Sequence, residues 1–166
     1  MNKKICFIGG GNMAEAMIAG LISKKYDANL ISVIDRNQDK LLALKNNYGV
    51  MTYQSYGDVV KQSDIVILAI KPQQMAGLIL DIKDSISNQL IITVAAGIEV
   101  SVYEELFAKK VAFARTMPNT PAGLGYGATG VYFNDNVNDS QKGITENILQ
   151  TMGIVEVVSK ESEIDI

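Results

Sequence analysis

The chain has 166 residues, 48% of them hydrophobic and 20% charged, which is enough apolar material for one buried core. Its formal net charge of -3 lacks the basic excess that a phosphate backbone demands, so DNA and RNA are excluded as expected partners. With no histidine and a single cysteine, Cys6, it has no histidine triad, histidine zinc site, disulfide framework or cysteine-rich metal centre, and no metal ligand is expected.

Short strands rich in Val, Ile and Leu alternate with helix-period segments, which predicts an α/β fold: a doubly wound, mostly parallel sheet with helices on both faces. The first strand is expected near residues 3–8 and contains Cys6, whose predicted role is packing. It runs into the stretch FIGGGNMAEAMIAGL, where Gly9, Gly11 and Ala14 have the G-x-G-x-x-[G/A] spacing and a helix over 11–23 follows. On that pattern Gly9 permits the sharp turn, Gly11 lets backbone approach a pyrophosphate, and Ala14 keeps helix and sheet close. The helix N-terminus would present N–H groups to the phosphates. No Gly-Lys-Ser/Thr follows the turn, which disfavours a nucleoside-triphosphate loop.

A second strand, near 30–34, ends in Asp35, Arg36 and Asn37, where the adenosine ribose of a dinucleotide would lie. Asp35 suits a free 2′-hydroxyl and therefore NADH, whereas Arg36 with Asn37 suits a 2′-phosphate; the reading leans to NADPH, with NADH as the alternative. A solvated turn opening the next helix is the structural reading of the same three residues. A helix over 38–47, a strand at 50–53 and a short helix at 57–62 lead to a strand at 64–70. Lys71 and Pro72 then fall on the carboxyl edge of the sheet, unless Pro72 simply opens the next helix and Lys71 is surface charge. That helix, QQMAGLILDIKDSI, places Met75, Leu78, Ile79, Ile82 and Ile86 on one face. The strand at 90–95 runs into VAAGIEV, whose small Ala95, Ala96 and Gly97 would let a ring or ribose lie against backbone.

A helix over 99–107 and a strand at 111–114 follow. After residue 120 the text turns Gly- and Asn-rich, suggesting a loop with one peripheral strand at TGVYF. A helix near 139–152 and a strand at IVEVV end the pattern, and SKESEIDI follows. Apolar runs such as DIVILAI are too short to span a bilayer, and the N-terminus has no charged segment before a secretory apolar core, so a cytoplasmic location is expected. No acid pair and no nucleophile beside a base stand at a useful spacing, so no catalytic residue is assigned.

The stretch FARTMPNTPAGLGYGATGVY resembles the signature of pyrroline-5-carboxylate reductases, and IGGGNMAEAMIAGL, DIVILAIKPQ and IITVAAGI match that family's motifs in the same order. The resemblance covers essentially the whole chain, and MPNTP is far more specific than the glycine turn. It implies a Rossmann-type domain whose bound NAD(P)H reduces the C=N bond of 1-pyrroline-5-carboxylate, a small-molecule substrate, to L-proline. By this resemblance Ile8, Gly9, Gly10, Gly11, Asn12 and Met13 would contact the pyrophosphate, and Arg36 with Asp35 and Asn37 the adenosine end. Ala69, Ile70, Lys71, Pro72, Val94, Ala95 and Ala96 would line the nicotinamide riboside. Asn119 would lie near the nicotinamide; an Asx-type turn before Pro121 is its structural alternative.

Two positions depart from the family pattern. Tyr56 stands where many relatives have Asn, and Gly10 stands where another residue commonly fills the turn. Relatives continue from a stretch like Glu161, Ser162 and Asp165 into an all-helical half that forms a homodimer or higher oligomer and holds the substrate carboxylate. The expectation is therefore a cofactor-binding half, with residues 1–158 as the dinucleotide domain and 159–166 as the start of the second, and little activity from this chain alone. Hydride transfer to a protonated imine needs orientation more than acid or base help, which suits the lack of catalytic groups. Two rival readings remain: another oxidoreductase of a small acid, and a module that senses NAD(P) without turnover.

Overall fold

A computed structural model describes residues 2–118 and 127–165. The first strand, β1 (Ile5–Ile8), is buried at all four residues, so it must be covered on both faces. Its side chains alternate accordingly: Ile5 and Phe7 enter one apolar cluster, Cys6 and Ile8 the other. Parallel to it on one side runs β2 (Ile31–Ile34) and on the other β4 (Ile65–Leu68), with Ile8 level with both Ile34 and Leu68. The remaining strands are β3 (Met51–Tyr53), β5 (Leu90–Thr93), β6 (Ala112–Pro118), β7 (Gly127–Phe133) and β8 (Gly153–Val157). Their spatial order is β3-β2-β1-β4-β5-β6-β7-β8. This is the doubly wound Rossmann arrangement, whose chain path reverses direction between β1 and β4.

Helices α1 (Asn12–Ser23), α2 (Gln38–Tyr48) and α6 (Asp139–Gln150) cover one face. There Met17, Ile18, Leu44, Ile148 and Leu149 pack on Phe7, Val33 and Ile67. The short α3 (Val59–Gln62), α4 (Met75–Ile82) and α5 (Val100–Phe107) cover the other, where Ile79, Tyr103 and Phe107 meet Val66, Leu68 and Phe113. Asn37 caps α2 by accepting from the Lys40 amide, and Gly49 ends it in the left-handed region at φ 75°. A reciprocal capping box between Asn138 and Gln141 opens α6. Among the described residues no helix is long and apolar enough to cross a membrane.

Three elements differ from the sequence expectation. The helix expected over QQMAGLILDIKDSI is α-helical only from Met75 to Ile82, with 3-10 turns at Pro72–Gln74 and Lys83–Ser85. Its unwinding end is held by Lys109, whose Nζ donates to the Lys83 and Ile86 carbonyls at 2.7 and 2.9 Å, a partner no local pattern reveals. The sixth strand runs four residues past the expected 114 because β7 pairs antiparallel along it, from Ala114 opposite Phe133 to Pro118 opposite Thr129. Correspondingly β7 is not peripheral: it starts at Gly127 and has β8 parallel on its far side.

Cys6 is wholly inaccessible, and burial pushes its thiol from an ordinary 9.0 to about 12. The native thiol thus stays protonated where the unfolded one ionises. Its contribution to stability is complete below pH 9 and is lost as the pH rises from 9 towards 12. A thiol reagent at pH 8 should therefore label Cys6 only at the rate of global unfolding, with urea speeding labelling in step with loss of circular dichroism; immediate stoichiometric labelling of the native protein would contradict this burial.

Candidate functional site

At the carboxyl end of β1 the chain turns through Gly9 at φ +101°. The Gly9 amide donates to the Ile34 carbonyl at 2.8 Å, and the Ala69 amide donates to the Ile8 carbonyl at 2.8 Å, so the turn is seated between the ends of β2 and β4. A side-chain carbon at Gly9 would lie 2.3 Å from the Ala69 carbonyl oxygen. Only glycine fits there, for both conformation and space.

Asp35 fastens the next step of the turn. Its Oδ2 accepts from the Gly10 amide at 2.7 Å and its Oδ1 from the Asn37 amide at 2.8 Å. One carboxylate thus ties the glycine turn to the loop after β2 through two charge-assisted bonds. Gly11 follows as the N-cap of α1 without a side-chain cap, and a carbon added there would meet nothing within 4 Å. The first-turn N–H groups of α1 have no acceptor within the helix and face this open side. They adjoin a cleft of about 230 Å³ lined by Gly10, Gly11, Asn12, Glu15, Lys40 and Leu44. On its wall the Tyr48 hydroxyl donates to the Glu15 carboxylate at 3.0 Å. Burial first, and that carboxylate second, push the phenol of Tyr48 up.

The other residues singled out in the sequence lie along the same edge. Arg36 is exposed, its carbonyl accepting from Gln54 Nε2 at 3.4 Å. Tyr56 is half-buried nearby; burial and then the Asp81 carboxylate push its phenol up, against an opposing pull from Arg36. Ala69 and Ile70 are half-buried just past β4, and Lys71 and Pro72 are exposed beyond them. Val94 follows β5, its amide donating to the Leu68 carbonyl at 3.2 Å; Ala95 is buried and Ala96 exposed. The register that sets Ile8 level with Ile34 and Leu68, and Leu68 level with Thr93, brings these four loops together. Asn119 lies outside the described residues.

Sequence reasoning missed the polar brace beneath the last of these loops. The Thr93 hydroxyl accepts from the Ala95 amide at 3.2 Å and lies 2.9 Å from the Tyr103 hydroxyl, while Thr116 donates to the Thr93 carbonyl at 2.8 Å. Its signal was two threonines, one ending the apolar run LIIT and one beside Arg115 in AFARTMP. A larger hollow of about 410 Å³ opens at the opposite, amino edge of the sheet, beside Lys61, Asp64, Gln89, Asn138 and Gln141. Volume favours that hollow, but ligands of doubly wound sheets bind outside the carboxyl ends of the strands at the reversal of order, where the glycine turn lies. The chemistry of backbone donors at an open helix N-terminus fits the phosphates of a dinucleotide.

Comparison with known proteins agrees with this geometry. Residues 4–97 match the family described as NADP oxidoreductase, coenzyme F420-dependent. The chain is 33% identical over 165 residues to a pyrroline-5-carboxylate reductase of Vibrio alginolyticus, covering 99% of this chain and 61% of that protein. Among solved structures, a pyrroline-5-carboxylate reductase from Coxiella burnetii superposes with TM-score 0.96 at 38% identity, over 99% of this chain and 62% of that one. A pyrroline carboxylate reductase of Plasmodium falciparum, solved with NADP bound, superposes with TM-score 0.86 at 23% identity over 98% of this chain and 60% of that one, a likeness of fold. The chain thus spans about three-fifths of the length of the relatives it matches.

The two glycines of the turn should respond differently to the same substitution. Gly9→Ala forces a clash with backbone and a positive φ, and should cost about 2–4 kcal/mol of stability. Gly11→Ala, whose new carbon meets open space, should stay within about 1 kcal/mol of the parent. Urea denaturation followed by circular dichroism measures both; equal losses would refute the seating of Gly9 against Ala69.

Proposed function

The chain belongs to the family of coenzyme F420-dependent NADP oxidoreductases, and from that premise we propose that it is the NADPH-binding half of a pyrroline-5-carboxylate reductase. The observation that carries this reading is the likeness to the Coxiella burnetii reductase over 99% of the chain. Likeness to a 3-hydroxyisobutyrate dehydrogenase, by contrast, is 18% in sequence and extends only to fold, which disfavours the reading as another small-acid oxidoreductase.

In this proposal the backbone from Ile8 to Met13 holds the pyrophosphate and Arg36 with Asn37 grips the 2′-phosphate. Ala69 to Pro72 and Val94 to Ala96 line the nicotinamide riboside, and Asn119 serves the nicotinamide end. The engagement of Asp35 by the Gly10 and Asn37 amides supports NADPH over NADH, since a carboxylate committed to two backbone donors leaves the 2′ position to Arg36. Bound NADPH supplies the hydride for the imine carbon. The chain's own residues contribute orientation: they seat the phosphates on the helix N-terminus and offer the nicotinamide small residues to lie against. Residues 1–158 form the dinucleotide domain and 159–166 lead into the second half, which holds the substrate carboxylate and makes a homo-oligomer. The protein works in the cytoplasm, in the final step of proline synthesis.

Arg36→Ala should weaken NADPH binding about tenfold or more while leaving NADH nearly unchanged, because a charge-assisted bond to phosphate is worth roughly 1.5–3 kcal/mol. Isothermal calorimetry reads both affinities, and equal losses would make Arg36 structural. The activity itself is tested by NADPH consumption with 1-pyrroline-5-carboxylate, comparing this chain with one continued through a relative's second half. Turnover is expected only from the longer protein. Comparable rates would overturn the division of labour, and no turnover from the longer protein would overturn the assigned reaction.

A further inference from the structure

Arg115, in β6, is only 1% exposed, yet its side chain carries a full charge into the layer between the sheet and α5. Its Nη1 donates to Glu161 Oε2 at 2.9 Å. The same oxygen accepts from the Val100 amide at 2.7 Å, and Val100 is the first residue of α5. The residue in the N-cap position of α5, Glu99, makes no side-chain cap bond. Glu161, 61 positions away in sequence, therefore caps this helix, its negative charge set against the positive end of the helix dipole.

The consequence falls on the connection between β5 and α5. At its start the Ala95 amide is pinned to Thr93, which Tyr103 and Thr116 hold in turn. At its end the Val100 amide is pinned to Glu161. Glu161 is itself anchored, since it opens the 3-10 segment Glu161–Asp165, in which Ile164 is buried over Gly130 of β7. Burying the Arg115 guanidinium is costly, and its partly exposed partner Glu161 offsets that cost only in part, so an apolar residue of similar volume would serve stability about as well. The pair's distinguishing property is directional: it delivers one carboxylate oxygen to one backbone amide.

We propose that Glu161, held by Arg115, is a positioning residue for the nicotinamide end of the dinucleotide site, fixing the Val94–Ala96 loop by capping α5 from beyond the last strand. This rests on the NADPH reading given above. It makes sequence outside the sheet part of the cofactor site.

The test compares two ligands on the 166-residue chain: NADPH, which spans both ends of the site, and 2′,5′-ADP, which occupies only the adenosine end. Glu161→Ala should weaken NADPH about tenfold and leave 2′,5′-ADP within about twofold. Glu161→Gln keeps an oxygen for the Val100 amide and should restore NADPH to within about threefold of the parent. Should Glu161→Ala fail to fold beside the buried guanidinium, the double variant Arg115→Met with Glu161→Leu substitutes an apolar pair without the cap, and should show the same selective loss. Unchanged NADPH affinity in the variants that fold, or equal losses for the two ligands, would overturn the proposal. So would NADPH binding the parent no more tightly than 2′,5′-ADP, since the nicotinamide end would then have nothing to position. Failure of the parent to bind either ligand would instead strike the NADPH reading, and this inference with it.

Discussion

The site depends on the closeness with which three strand ends converge on a residue that has no side chain. Gly9 donates to the end of β2 while its α-carbon faces the carbonyl of Ala69 past β4, with no room for one more carbon. Were the turn wider, α1 would start farther from the sheet, and its N–H groups would no longer open where the loops after β1, β2, β4 and β5 meet. The reversal of chain direction beside β1 creates the crevice, and the glycine keeps it narrow.

Around that turn a few polar groups tie the loops in place. Asp35 spans from the loop after β2 to the glycine turn; Thr93, Tyr103 and Thr116 hold the start of the loop after β5. Because buried donors and acceptors are costly to leave unmet, such bridges define loop positions more sharply than apolar packing does. The two apolar clusters, one on each face, supply most of the cohesion, and the bridges supply the geometry.

The strand that departs most from its local pattern, β6, also joins the parallel sheet to its antiparallel extension. Ala112 to Arg115 pair with β5, and Ala114 to Pro118 pair with β7. Arg115 therefore sits at the junction, buried, and reaches the segment beyond β8 through Glu161. The extension β7–β8 with α6 is thereby bound to the nucleotide-binding layer by a charge pair as well as by its hydrogen-bond ladder.

Much of this was legible along the chain. Short, β-branched apolar runs such as ICFI and IVIL read as strands covered on both faces, and the apolar spacing of Met75, Leu78, Ile79 and Ile82 as one face of a helix, because backbone periodicity is a local property. The glycine turn was legible too, since bare backbone between strand and helix has few other uses. The roles of Asp35 and Glu161 were not. Asp35 reads in sequence as a ribose or solvent residue, and only the packing of β2 beside β1 turns its carboxylate onto the Gly10 amide. Glu161 reads only as part of the stretch after the last strand, and TGVYF as a peripheral strand, because neither a long-range ion pair nor a strand's neighbours in the sheet have a local signature. Strand pairing and long-range ion pairs join residues tens of positions apart, and which groups become neighbours across that distance is decided by the assembled sheet. By itself the sequence determined the elements, their order and the place of the glycine turn; tertiary structure alone decided which carboxylate holds which loop, because that depends on contacts with no signature in local spacing.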